Sequence, residues 1–288
     1  MEGRGARWFF RLMTVFVLAF LYVPLGIVVL YAFNKTRTAS WPPDLWTTKW
    51  FSEAWSDPTL KPSLLNSLKA GVAATSLALV LGTLASFAIH RFRFFGRDSI
   101  SFALVLPIAL PGIVTALALN SMVEAVPFIS FGLPAIIVGH ATFCVVVVFN
   151  NVVARLRRTS GSFVEASMDL GADGIQTFRY VTLPAIRTAL LAGGLLAFGL
   201  SFDEIVVTIY LSGTQSTLPL WIFNNLQRPT SRPIVNVVAM VVLLLSLIPV
   251  YIAQRLAGEG PIASGRRGRR REAAAPTSVA PLEEAGPG

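Results

Sequence analysis

The chain has 288 residues, of which 54% are hydrophobic and only 14% are charged, and its formal net charge is +9. Soluble domains carry about 25% charged residues, so this composition favours a membrane protein over a large soluble protein. A basic chain can also bind nucleic acid, but here the basic residues lie at the ends of apolar segments, where they orient a protein in a bilayer. The single cysteine, Cys144, excludes an internal disulfide.

Six segments are apolar and long enough to cross a bilayer, which requires about 20 helical residues. The predicted spans are 8–33, 64–89, 100–122, 133–153, 185–211 and 234–257. The first is too long for a cleaved signal sequence and no small-x-small site follows it, so we expect it to remain as a span. The sequence thus predicts an all-α polytopic membrane protein with a transmembrane domain over residues 1–257. Residues 258–288, rich in Gly, Ala, Pro and Arg, are predicted to be a disordered basic tail.

The lysines and arginines predict the orientation. With the N-terminus in the cytoplasm, 17 of the 24 basic residues fall on the inner side and 7 on the outer side. Cytoplasmic loops of membrane proteins carry such an excess. We therefore expect both termini, and the loop 154–184, in the cytoplasm.

Two predicted outer loops, 34–63 and 211–233, carry most of the tryptophans. These are Trp41, Trp46, Trp50, Trp55 and Trp221. Tryptophan prefers the headgroup region of a bilayer and is also enriched at protein interfaces. Each loop is therefore either an interfacial anchor or a docking surface for an external partner.

The segment EASMDLGADGIQTFRYVTLP, residues 165–184, lies between the fourth and fifth spans and is called the elbow below. Ser162 is a candidate N-cap of a short helix, with Glu165 three residues later as in a capping box. Gly171 can end that helix in the left-handed conformation, and a second helical turn follows. Pro184 then opens the next span, where its missing N–H costs nothing.

The elbow combines acids with apolar residues. The acids are Glu165, Asp169 and Asp173, and the apolar residues are Met168, Leu170, Ile175 and Phe178. A free cytoplasmic loop does not need an apolar edge of this kind. The pattern predicts that another protein binds the elbow.

The residues Glu165-Ala166-Ser167, Gly171 and Val181-x-Leu183-Pro184 resemble the EAA motif of ABC importer permeases, E-A-A-x3-G-x9-I-x-L-P. Ser167 for Ala and Val181 for Ile are the two departures. Four further stretches resemble the second permease subunit of spermidine/putrescine importers; they are 47–71, 106–119, 139–160 and 201–223. The resemblance covers about residues 8–257 and leaves the tail outside it.

This resemblance implies half of a transmembrane pathway for a polyamine in the bacterial inner membrane. It also implies three partners: a dimer of cytoplasmic ATP-binding subunits, a second homologous permease and an external substrate-binding protein. The elbow would be the coupling helix that inserts into a cleft of the ATPase, with Glu165 paired to a basic group there and Gly171 making the turn. The expected coupling residues are Glu165, Ala166, Ser167, Asp169, Gly171, Ala172, Phe178, Leu183 and Pro184.

We expect no catalytic residue, cofactor or metal in the chain itself, and no nucleic-acid partner. A phosphate-binding loop requires a Gly-Lys pair, and none of the four lysines follows a glycine. ATP and magnesium would therefore bind to the partner ATPase. A different small solute, a secondary transporter or channel, and a non-transporting scaffold are the alternatives.

Asp203 and Glu204 are the candidate substrate-pathway residues, because an acid in the hydrocarbon region costs several kcal/mol unless it faces water or a partner. Carboxylates on a pathway would match a cationic polyamine, but the two acids could also pair within the protein. Adjacent helical residues point about 100° apart, so both acids are not expected to face one pathway. Asp203 is the stronger candidate.

Other polar and helix-breaking residues in the spans carry structural predictions. His140 is expected to be a hydrogen-bonded packing residue, because no second His or Cys lies at metal-ligand spacing. Pro107, Pro111 and Gly112 are predicted to bend the third span.

Overall fold

The structure, a computed structural model, describes residues 4–38, 40–44 and 46–258, and these form helices joined by loops. The helices are α1 Arg4–Ala32, α2 Lys49–Ser56, α3 Leu60–Arg91, α4 Arg97–Ala109, α5 Gly112–Ala125, α6 Leu133–Arg158, α7 Ser162–Asp169, α8 Gly174–Thr177, α9 Leu183–Phe202, α10 Val206–Leu211, α11 Leu218–Leu226 and α12 Arg232–Gly258. A π-helical turn, Phe178–Thr182, joins α8 to α9, and a 3-10 turn, Pro229–Ser231, precedes α12. Beyond Gly258, the predicted tail lies outside the described residues.

Five helical stretches in the described part of the chain are long and apolar enough to cross a bilayer. They are Gly5–Ala32, Leu60–Arg91, Leu133–Arg158, Gly174–Phe202 and Pro229–Leu247. A sixth candidate is the pair α4 and α5, which is bent by 105°. Leu110, between the two helices, is extended, as expected for a residue that precedes a proline. The prediction of a bend in the third span is confirmed.

The predicted fifth span, 185–211, is not one continuous helix. α9 ends at Phe202 and α10 begins at Val206. The three residues between them, Asp203, Glu204 and Ile205, are called the α9–α10 break below. The sequence prediction assumed that the two acids lie on a regular helix. That assumption is wrong, because both lie in the break.

α6 lies at the centre of the main core and packs against α3, α9 and α10. Between Ser63 and Ser86 the buried residues of α3 are all small; they are Ser63, Ser67, Ala70, Gly71, Ala74, Ala78, Gly82 and Ser86. Small side chains allow helix backbones in a membrane to approach closely. Accordingly, the Ser86 hydroxyl oxygen lies 2.7 Å from the Gly82 carbonyl oxygen and 3.1 Å from the Phe149 carbonyl oxygen of α6, and its one hydrogen can be shared between them.

Gly139 marks the closest approach between α6 and α10. A Cβ atom on Gly139 would lie 2.5 Å from Leu211 Cδ1 and 3.0 Å from Val207 Cγ1. Any larger residue would therefore force the Leu211 and Val207 side chains to move.

A second core forms where the two tryptophan-bearing loops meet. Trp50 and Trp221 are buried in it. The Trp50 indole N–H donates to the Asn34 carbonyl at 2.6 Å, and the Trp221 indole N–H donates to the Thr59 hydroxyl at 2.7 Å. These two tryptophans are thus core residues, so neither interpretation offered for the loops, lipid anchor or docking surface, describes them. Buried tryptophans satisfy their single donor within the protein.

The remaining loop tryptophans are exposed. They are Trp41, Trp46 and Trp55. Lys61 lies over the Trp55 ring at 4.5 Å from the ring centroid. For these three residues both interpretations stay open.

By its internal contacts the chain divides into one compact unit that ends at Ser246 and a second that begins at Leu247. All the cores described above belong to the first unit. Of the second, the structure describes Leu247 to Gly258, the last turns of α12.

Candidate coupling elbow and substrate pathway

The first turn of the elbow ends at a complete Schellman motif. Gly171 has a φ of +87°, in the left-handed region that favours glycine. Its N–H donates to the Met168 carbonyl at 2.9 Å, and the Ala172 N–H donates to the Ser167 carbonyl at 3.1 Å. These are the two hydrogen bonds that define the motif, and they fix the direction in which the chain leaves α7. The predicted role of Gly171 as the helix terminator is confirmed.

The second turn is held by a capping box that the sequence analysis overlooked. The Asp173 carboxylate accepts from the N–H groups of Ile175 and Gln176, both at 2.8 Å, and the Gln176 side chain accepts from the Asp173 N–H at 3.0 Å. The spacing Asp-x-x-Gln is a recognised signal for this cap. The box predicted at Ser162 is wrong, because Ser162 is the first residue of α7 and the N-cap, Gly161, has no side chain to offer.

The elbow is held by one contact within it and one contact to the helical bundle, and a further hydrogen bond fixes the start of α9 directly after it. The hydroxyls of Ser167 and Thr177 are 3.1 Å apart and join α7 to α8. The Phe178 ring packs edge-on against Phe87 of α3, with ring centroids 5.6 Å apart. The Arg155 guanidinium donates from Nε to the Ala185 carbonyl at 2.8 Å and so joins α6 to the start of α9. These contacts make the elbow an extension of α9 rather than a loose loop.

The outer surface of the elbow is apolar and acidic, as predicted. Leu170 is 89% exposed and Ile175 is 79% exposed, and Met168 and Phe178 are also exposed. Glu165 and Asp169 are exposed as well, and their carboxylates have no hydrogen bond or ion pair within the described residues. Ala172 is half-buried, while Leu183 and Pro184 are exposed at the start of α9. Ser167 is half-buried, and its hydroxyl is engaged with Thr177.

The two candidate pathway acids differ in their surroundings. Asp203 follows the last residue of α9, is exposed, and its carboxylate has no hydrogen bond or ion pair within the described residues. Glu204 is half-buried, and its Oε1 accepts from the Val207 N–H at 3.0 Å. This hydrogen bond satisfies one of the free N–H groups at the start of α10. Asp203 is therefore available to a ligand, whereas Glu204 stabilises the fold.

His140 on α6 is buried beside the α9–α10 break. Its Nδ1 lies 2.8 Å from the Ser201 hydroxyl, near the end of α9, and its Nε2 lies 3.0 Å from the Thr208 hydroxyl, on α10. The prediction that His140 is a hydrogen-bonded packing residue is confirmed. Its two partners were missed, because they lie 61 and 68 positions away in the sequence and no local pattern links them.

Comparison with known proteins identifies the family. A family model described as binding-protein-dependent transport system inner membrane component matches residues 78–258, which is more than half of the chain. The chain belongs to this family. The permease is thus a multi-pass inner membrane component of a bacterial transport system, and the predicted all-α fold and localisation are confirmed. The cytoplasmic position of the termini stays a prediction.

Several curated relatives match most of the permease. It is 34% identical over 252 residues to the spermidine/putrescine transport system permease protein PotC of Haemophilus influenzae, covering 86% of this chain and 96% of the relative. It is 34% identical over 233 residues to the putrescine transport system permease protein PotI of Escherichia coli, covering 78% and 82%. The PotC protein of Escherichia coli is 32% identical over 243 residues, covering 84% and 90%. The resemblance to polyamine permeases noted in the sequence is confirmed.

A solved structure supports the fold independently. The permease superimposes on a chain of a bacterial ABC transporter involved in the import of the acidic polysaccharide alginate, with a TM-score of 0.67. The match covers 88% of this chain and 98% of that chain, at 16% sequence identity. At this identity the likeness concerns the fold alone.

Proposed function

We propose that this permease is one subunit of an ATP-driven polyamine importer and forms half of its transmembrane pathway. The observation that carries the proposal is the length of the match to the putrescine and spermidine permeases, which extends over four fifths or more of each relative. The free Asp203 carboxylate adds a chemical reason, since polyamines are cations at neutral pH. The proposal names the substrate as putrescine, spermidine or a related linear amine.

We further propose that the elbow docks on a separate cytoplasmic ATPase. Exposed leucine and isoleucine side chains next to unpaired acids suit an apolar cleft with basic residues at its rim. Glu165 and Asp169 would pair with those basic residues, and Leu170 and Ile175 would fill the cleft. A second permease subunit and an external substrate-binding protein would complete the assembly.

The geometry suggests how ATP binding drives the pathway. The elbow continues through the π-helical turn into α9, whose 20 residues span about 30 Å. Movement of the elbow with the ATPase would therefore reach the α9–α10 break at the far end of the same helix. ATP and the partners can shift the permease between two conformations only if they bind those conformations unequally.

Purification of the tagged chain from its own membrane tests this proposal. We expect an ATPase to co-purify and its activity to rise when the external binding protein is loaded with putrescine or spermidine, but not with a neutral sugar. Purification without any ATPase would favour a secondary transporter or channel. An ATPase that no polyamine stimulates would favour a different solute.

A further inference from the structure

Two broken helices meet beside the acidic pair. α5 begins at Gly112, after the bend of the third span, and α10 begins at Val206, after the α9–α10 break. A Cβ atom on Gly112 would lie 3.9 Å from Val206 Cγ1, so the two helix starts are neighbours. Discontinuous helices in transporters tend to lie at substrate sites, and irregular backbone within a membrane requires partners for its polar groups.

His140 makes hydrogen bonds to both sides of the α9–α10 break. Besides facing His140, the Thr208 hydroxyl donates to the Glu204 carbonyl at 2.9 Å. A hydroxyl has one hydrogen, so Thr208 must accept from His140, and Nε2 must carry the imidazole hydrogen. Nδ1 is then the acceptor for the Ser201 hydroxyl. The tautomer with the hydrogen on Nε2 therefore satisfies the contacts of His140 with both Ser201 and Thr208. It is assigned from the hydrogen-bond network.

The resulting chain of hydrogen bonds spans the break from one side to the other. Ser201 at the end of α9 donates to His140, His140 donates to Thr208 on α10, and Thr208 donates to the Glu204 carbonyl within the break. Glu204 in turn uses its carboxylate to cap α10. Asp203 lies between Ser201 and Glu204 in the sequence, and its carboxylate makes no hydrogen bond or ion pair within the described residues.

The place of Asp203 suits an ammonium group. A helix carries a partial negative charge at its C-terminus, where its last carbonyls lack partners, and Asp203 immediately follows the last residue of α9. The Asp203 carboxylate and the end of α9 therefore attract a cation together. Glu204 is half-buried and one of its carboxylate oxygens accepts from the Val207 N–H, which leaves Asp203 as the more accessible of the two acids.

We infer that His140 is a positioning residue for substrate recognition: it fixes the α9–α10 break so that Asp203 receives one ammonium group of a polyamine. This inference rests on the proposed function, since it takes an amine as the ligand. His140 itself does not touch the substrate. It acts through Ser201 and Thr208.

The test is the number of polyamine molecules transported per ATP hydrolysed, in proteoliposomes containing the complete complex and saturating loaded binding protein. His140→Ala and Thr208→Val are each expected to lower this ratio about tenfold, because each removes buried hydrogen bonds that set the break. The ratio responds to the substrate site, whereas partial misfolding lowers transport and ATP hydrolysis together.

Two variants are matched controls. Thr208→Ser keeps the hydroxyl, whereas Thr208→Val keeps the shape without the hydroxyl. Cys144 lies one turn from His140 and donates to the Ala197 carbonyl of α9 at 3.3 Å, so Cys144→Ala alters α6–α9 packing away from the break. Both controls are expected to keep the transport ratio within about twofold of the wild type.

A double-mutant comparison shows whether His140 acts through Asp203. In an Asp203→Asn background, His140→Ala is expected to lower the ratio no further, because the positioned group is already lost. If His140→Ala lowers the transport ratio by the same factor in the wild-type and Asp203→Asn backgrounds, the inference is wrong. It is also wrong if His140→Ala and Thr208→Val both keep the wild-type ratio. Either result would leave the proposed function intact. A wild-type complex that transports no polyamine would instead overturn the proposed function, and the inference with it.

Discussion

At the scale of single residues, two adjacent acids have opposite roles. Glu204 is part of the helix cap of α10, whereas Asp203 is exposed with a free carboxylate. The difference arises because the chain leaves helical geometry at this point, so the two side chains meet different surroundings. Sequence reasoning favoured Asp203 because Phe198 and Phe202 would occupy the neighbouring helix face and Glu204 would lie toward the partner permease, whereas the structure favours Asp203 because its carboxylate is exposed and free.

This difference predicts unequal effects of neutralising the two acids. Asp203→Asn is expected to lower polyamine transport per ATP about tenfold, since hydrogen bonds to a charged group contribute about 1.5–3 kcal/mol. Glu204→Gln keeps an oxygen that can accept from the Val207 N–H, so we expect a change below about threefold. Transport in proteoliposomes with both variants measures the contrast. A larger loss for Glu204→Gln would contradict these assignments.

Residue roles that depend on distant partners could not be predicted from the sequence. The packing role of His140 followed from the lack of other metal ligands, but Ser201 and Thr208 are brought to it only by the tertiary fold. Trp50 and Trp221 were expected at the surface because tryptophan prefers the headgroup region of a bilayer and is enriched at protein interfaces. The two loops cover each other instead, which buries both rings.

At the scale of elements, the signals that shape the elbow are local in the sequence, although the cap at Asp173 was overlooked and the one predicted at Ser162 was wrong. A glycine followed by an Asp-x-x-Gln spacing specifies a Schellman turn and a second cap locally, without help from the rest of the protein. The bend of the third span was predictable for the same reason, because proline restricts its neighbour. The α9–α10 break was not, since residues 203–205 contain neither glycine nor proline. Its stability comes from the Glu204 cap and the His140 hydrogen bonds.

Because Gly171 has a positive φ, we predict that adding one methyl group there destabilises the turn. Gly171→Ala places a side chain at a φ of +87°, which costs about 1 kcal/mol or more, while no atom lies within 4 Å to crowd the new Cβ. We expect the ATPase activity stimulated by loaded binding protein to fall about fivefold as the elbow loses its fixed geometry.

Gly174→Ala is the matched control, because Gly174 lies in the same elbow with open space around it and no positive φ. It is expected to leave the stimulated ATPase activity unchanged. Equal activities of the two alanine variants would show that the left-handed turn does not matter for coupling.

At the scale of the whole molecule, the distribution of basic residues predicts which ends of the helices face the cytoplasm. The elbow and the loop between α3 and α4 lie on the predicted inner side, and the loop between α5 and α6 lies on the outer side. Two exposed positions report on these loops: Phe95 between α3 and α4, and Phe128 between α5 and α6.

Reporter fusions test this orientation. Alkaline phosphatase, which is active only outside the cytoplasm, is expected to be active when fused after Phe128 and inactive when fused after Phe95. A cytoplasmic fluorescent reporter should give the opposite pattern. Reversed activities would place the elbow outside the cell, where no cytoplasmic ATPase could bind it.

The central claim, that this permease moves polyamines by means of a separate ATPase, is tested most directly by uptake into proteoliposomes. The measurement is the accumulation of radiolabelled putrescine and spermidine by the complete complex with loaded binding protein, with ATP or a non-hydrolysable analogue supplied to the ATPase side. We predict accumulation against a concentration gradient with ATP and none with the analogue. Accumulation that is equal with both nucleotides, or absent with both, would contradict the account.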